Sequence, residues 1–161
     1  MLPIRTILHP TDFSGRAGDA FQFACALARD YRARLILLHV HPPPPPPVAG
    51  EFGFLPTEGA PDRTRLRERL SELRPADPRV PVEHHYREGD PATEILQTAR
   101  ESQCDLIVLG THGRTGLDRL FMGSVAESVL RRATCPVLTV RSAATVALPE
   151  SSRVEERAIV T

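Results

Sequence analysis

Short, nearly continuous apolar runs alternate along this chain with longer stretches in which apolar residues return every three or four positions. Continuous runs suit strands buried on both faces, whereas the three-to-four spacing marks one side of a helix. Thr6–His9 predicts a first strand. The stretch from about Gly15 to Tyr31 predicts a first helix, with Ala17, Phe21, Ala24, Ala28 and Tyr31 on its apolar side. Leu35–Val40 predicts the second strand. A second helix is expected over about Asp62–Leu73, where Leu66, Leu70 and Leu73 align while Arg65, Arg67, Glu68, Arg69 and Glu72 lie elsewhere. That pattern marks a largely solvated helix whose charges form a wet surface. The third strand runs from Val82 to about Arg87, and the third helix starts beside Pro91, a residue suited to a first helical turn, with Ile95, Leu96 and Ala99 as its buried stripe. Leu106–Leu109, Ser124 to about Ala133, and Val137–Val140 complete the series as fourth strand, fourth helix and fifth strand.

Strands that alternate with helices in this way pair in parallel through crossovers and are covered on both faces. The fold class is therefore α/β, a doubly wound, open, parallel five-stranded sheet with helices on both sides. With 161 residues and no internal repeat, the chain fits one domain over 1–141. Two segments fall outside the rhythm. Pro42–Pro47 is an unbroken proline run, expected to form a stiff polyproline II spur that continues into the loop Val48–Ala60. It fits a rigid loop insertion over 42–60 better than a ligand for a proline-recognition module. Ser142–Thr161 is a mixed polar and small-apolar tail.

Charge narrows the partners. Twenty basic and twenty acidic residues cancel, so no overall field draws the protein to nucleic acid or to an anionic membrane, and any phosphate must be recognised locally. Every basic residue is arginine. The absence of lysine removes a Walker-type phosphate loop, a Schiff base and a kinase-type phosphate-pairing amine. No apolar run approaches the roughly 18 residues of a membrane span, and no secretory signal pattern opens the chain, so a cytoplasmic location is expected. Cys25, Cys104 and Cys135 lack paired spacing and are expected to be buried, reduced thiols. Among six histidines, His39 and His41 share a strand face and His84 and His85 point oppositely, but no carboxylate cluster completes a metal site around either pair.

The strongest chemical signal lies in residues 106–140. The fourth strand runs into Gly110, Thr111, His112, Gly113 and Arg114, and Gly123-Ser124 stands at the head of the fourth helix. Glycines that tolerate positive φ and close backbone approach, followed by the free N–H groups of a helix start, suit an anion such as phosphate. In an open parallel sheet the ligand sits beyond the carboxyl ends of the strands where the winding reverses. If the first and fourth strands are neighbours, His9, Pro10, Thr11 and Asp12 face the glycine loop across that crevice. Asp12 then helps hold Mg²⁺ or positions the ligand, or else Asp12 or Ser14 simply caps the first helix. Ser124 to Glu127 reads as a capping box, with Glu127 reaching back to the Ser124 N–H. Arg114 projects from the loop toward phosphate, ahead of Arg119.

Gly110-x₂-Gly113-x₉-Gly123-Ser124, together with Pro10-Thr11-Asp12, Gly89-Asp90-Pro91 and Cys135-Pro136-Val137-Leu138, resembles the universal stress protein family over about residues 3–141. The resemblance implies an adenine nucleotide alpha hydrolase-like sheet of order 3-2-1-4-5, ATP binding, and homodimerisation. It places Pro10, Thr11 and Asp12 near adenosine and phosphates, and Val40 against adenine through its backbone. Leu109, Gly110, His112, Gly113 and Arg114 then line the ribose and phosphates, and Gly123, Ser124 and Val125 close on the phosphates.

Two functions compete. One is a nucleotide-dependent regulatory protein of the stress response, acting through a homodimer or a partner. The other is a slow Mg²⁺-dependent hydrolase of ATP or another adenine nucleotide, which would also need a group to position water. A phosphoacceptor receiver domain needs a lysine that this chain lacks. A dimerisation module without nucleotide would leave the glycine pattern unused. The fifth strand, if it is the sheet edge, is the expected dimer surface through Val137, Leu138 and Val140.

Overall fold

The computed structural model describes residues 4–43, 49–50, 53–54, 62–110 and 123–141. In chain order these form β1 (Thr6–Pro10), α1 (Gly15–Tyr31), β2 (Arg34–His41), β3 (Ala49–Gly50), β4 (Gly53–Phe54), α2 (Arg63–Glu72), β5 (Val82–Glu88), α3 (Pro91–Glu101), β6 (Leu106–Gly110), α4 (Ser124–Arg132) and β7 (Val137–Val140). Five strands make one sheet in the order β5-β2-β1-β6-β7, and every pairing in it is parallel. This is the doubly wound order 3-2-1-4-5 implied by the resemblance. The winding reverses between β1 and β6, where Ile7 pairs with Leu106 and Leu8 with Ile107.

Strand pleating sends alternate residues to opposite faces, and the core divides accordingly. On one face Leu8, Ile36, Leu38, Ile107 and Leu109 pack with Ala92, Ile95, Leu96 and Ala99 of α3 and with Ala126 and Val129 of α4. On the other, Ile7, Leu35, Leu37, Leu106 and Val108 pack with Phe21, Ala24 and Ala28 of α1 and with Leu70 of α2. Three helices start on a side-chain cap. Ser14 accepts from the Ala17 N–H, Asp62 from those of Thr64 and Arg65, and Asp90 from that of Thr93 beside Pro91 in the first turn. Hydrogen bonds from Thr93 hold the Asp90 carboxyl below its usual range.

Three details differ from the sequence reading. Ala49–Gly50 pairs antiparallel with Gly53–Phe54, so the 42–60 insertion contains a small hairpin rather than loop alone. Tyr31 is exposed, because the chain turns at Arg32 in the left-handed region and Ala33 takes the last buried place on that side. Gly123, not Ser124, is the α4 N-cap, so the expected capping box between Ser124 and Glu127 does not form. Glu127 instead pairs with Arg131 one turn on. Leu138 and Val140 are partly buried against the α1-side core and Val137 against the α3–α4 side.

Candidate functional site

The parallel register carries Pro10, Val40 and Gly110 to the carboxyl edge of the sheet, at the ends of three adjacent strands. Since α4 runs back to the start of β7, its N-terminus with Gly123, Ser124 and Val125 lies at the same edge. Leu109 is buried under this edge, Val40 is half-buried against the α3–α4 core, and Ser124 and Val125 are exposed. His112, Gly113, Arg114 and Arg119 lie outside the described residues. Gly123 has φ −60°, a value open to any residue, so left-handed backbone is not what a glycine there supplies. Among the described residues no side chain caps α4, in contrast to the three other helices, whose N-cap residues each accept from a first-turn N–H.

Opposite lies a tightly bonded turn after β1. The Thr11 N–H donates to the Leu38 carbonyl at 2.8 Å. Its hydroxyl accepts from the Phe13 N–H at 3.1 Å, and its carbonyl meets His39 Nδ1 at 2.8 Å. Asp12 Oδ1 accepts from the Ser14 N–H at 3.0 Å, while Ser14 itself caps α1. Ser14 is therefore the helix cap, and Asp12 shapes the turn that leads into it. A carboxylate at this position, with a helix N-terminus at the same sheet edge, suits a hard cation bridging to phosphate oxygens.

Beneath the turn, His9 is fully buried, with Nδ1 3.0 Å from the Val108 carbonyl. The carbonyl can only accept, so Nδ1 carries the proton and Nε2 presents a lone pair. Burial pushes the imidazole down to about 4, against smaller opposing effects of the Val108 carbonyl and the Asp12 charge. The other core histidines are bonded too, His39 to Thr11 and His84 to the Leu73 carbonyl. Burial also raises the thiols, Cys25 to about 11 and Cys104 to about 12.

The sequence reading missed two arginines. Although α2 is largely exposed, the Arg69 guanidinium lies 4.6 Å from the Phe13 ring centroid and donates to the Phe13 carbonyl at 3.2 Å. Arg67 covers the Tyr86 ring at 4.7 Å. Helical spacing alone gave no signal, because the rings come from the turn after β1 and from β5, both remote in sequence; Phe13 and Tyr86 were the available clue.

An open parallel α/β sheet with order β5-β2-β1-β6-β7 is of the doubly wound class, whose switch point here lies between β1 and β6, beside the bonded Asp12 turn. The model of the universal stress protein family matches residues 3–141, and the chain belongs to that family. Universal stress protein MJ0531 of Methanocaldococcus jannaschii is 34% identical over 145 residues, covering 85% of this chain and 82% of that protein. Two solved structures share the fold at 23% identity. One is a universal stress protein in complex with cAMP (TM-score 0.63, 86% of this chain and 98% of that one). The other is the Archaeoglobus fulgidus protein in complex with dAMP (TM-score 0.57, 86% and 98%). Among the described residues no helix is long and apolar enough to cross a membrane.

Proposed function

We propose that this chain is a nucleotide-dependent regulatory protein of the stress response that binds ATP with Mg²⁺ at the carboxyl edge of its sheet and acts as a homodimer. The observation that carries this reading is the α4 N-terminus, which no side chain caps among the described residues, at the same sheet edge as the Asp12 turn. Backbone N–H groups and helix dipole favour phosphate there, and neutral overall charge leaves recognition to such local features. The cAMP and dAMP held by the two related structures support an adenine nucleotide as the ligand class. In this assignment Pro10, Thr11, Asp12 and Val40 border the adenosine side. Leu109, Gly110, His112, Gly113, Arg114, Gly123, Ser124 and Val125 border the ribose and phosphates. Asp12 would be the residue that holds Mg²⁺, and the ion would supply positive charge beside the phosphates. The dimer forms through β7, whose ladder partner among the described residues is β6 alone. His9 does not serve hydrolysis, since it is buried, neutral and tied to Val108.

Mass spectrometry of ligand released from freshly purified protein, followed by equilibrium titration with ATP, tests the reading. Asp12→Asn keeps the size of the side chain and removes its charge, so its loss of ATP affinity should be larger with Mg²⁺ than without. Equal losses in both conditions refute the metal role. No ATP binding by the wild type refutes the proposal as a whole.

A further inference from the structure

Phe13 has φ +61°, in the left-handed region that bulky side chains avoid. It sits between Asp12 and Ser14, so the conformation that orients the acidic turn depends on a backbone state that an aromatic residue does not favour by itself. Two groups from other elements hold it. From α2, Arg69 covers the Phe13 ring at 4.6 Å and donates to the Phe13 carbonyl at 3.2 Å. From β2, the buried His39 ring packs against the same Phe13 ring at 4.5 Å, and its Nδ1–H donates to the Thr11 carbonyl at 2.8 Å. The residue before Asp12 is thereby tied to β2 and the residue after it to α2. The row of groups continues from His39 to Tyr86 at 5.9 Å and ends on Arg67.

We infer that Arg69, with His39 behind it, is a positioning residue that holds Phe13 left-handed and so presents Asp12 to the nucleotide; this rests on the nucleotide reading above. Neither side chain needs to touch the ligand. Arg69 acts by raising the fraction of molecules in which the turn is formed, and affinity falls by the factor by which that fraction falls. Because α2 buries only Leu70, its hold on the turn lies largely in these arginine contacts, and a shift of α2 would reach the crevice through them.

The test is a cycle of Arg69→Met, Phe13→Gly and the double variant, each titrated with MgATP and each followed, without ligand, by hydrogen exchange at the Ser14 amide. That amide donates to Asp12 Oδ1 and reports the turn directly. Methionine keeps an apolar stem and removes the guanidinium, so Arg69→Met should weaken ATP about five- to tenfold and speed Ser14 exchange by a similar factor. Glycine adopts the left-handed region without support, so adding Arg69→Met to Phe13→Gly should change either readout by less than about twofold. An equal loss of affinity in both backgrounds, with Ser14 exchange unaltered, overturns the inference, as does wild-type behaviour of Arg69→Met. If wild-type protein binds no ATP, the nucleotide reading fails, but the exchange measurements still decide whether Arg69 holds the turn.

Discussion

His9 makes stability depend on pH in a way that one substitution isolates. In the folded chain its imidazole is pushed from 6.5 down to about 4, chiefly because burial penalises the charged ring. Nδ1 is committed to the Val108 carbonyl, and Nε2 meets no hydrogen-bond partner among the described residues, so a second proton would be buried without an acceptor. As pH falls from 6.5 toward 4 the unfolded chain takes up a proton that the folded chain refuses. Stability from this group is therefore complete above that window, declines through it, and levels off below it. Linkage between the two values gives about 2 kcal/mol less stability near pH 5 than near pH 7. The measurement is a difference between two proteins, so that contributions common to both cancel. Urea unfolding followed by circular dichroism, at both pH values, is compared for wild type and His9→Leu. The variant loses the bond to Val108, and its absolute stability can shift, but its pH dependence should be shallower by about 2 kcal/mol over the same interval. An identical pH dependence in the two proteins would falsify the account of His9 as a buried neutral group.

Gly89 has φ +147°, and a Cβ there would come within 3.0 Å of the Glu94 carboxylate, so Gly89→Ala should lower unfolding stability by about 1–3 kcal/mol; a change below about 0.5 kcal/mol in denaturant titration would refute this. Val at Gly123 or Gly113 should weaken ATP binding about tenfold or more while circular dichroism stays native, because the added side chain occupies the path of approach to phosphate. Wild-type affinity in both variants would remove the phosphate-loop assignment. For the dimer, Thr139→Pro is a cleaner probe than a charge at Leu138, which packs into its own core. The Ile107 N–H bonds the Pro136 carbonyl and Ile107 is in register with Val137, so the Thr139 N–H points away from β6. Sedimentation should show this variant as a monomer, and a dimer would exclude pairing through β7.

The apolar runs at β1, β2, β6 and β7 and the spacing in α1 and α3 were enough to read off the element order and the parallel sheet. Those patterns record burial on one side or both, a property each segment carries wherever it is placed. Gly89-Asp90-Pro91 announced a helix start for the same local reason, and Asp12 stood out because a carboxylate at the end of a first strand faces whatever lies across the switch point. Local pattern could not decide between Asp12 and Ser14 as the α1 cap, and it placed the α4 cap at Ser124 where the backbone places it at Gly123, because neighbouring residues satisfy the same rule until the backbone angles are set. The role of Arg69 and Arg67 was also beyond it. On α2 they read as solvated charge, and only the crossover that lays α2 beside Phe13 and Tyr86 gives those charges aromatic faces to cover. His9 shows the same division: its position on a buried strand was evident, but its lowered affinity for a proton follows from how closely β6 and α1 pack around it, an environment assembled from parts of the chain about a hundred residues apart.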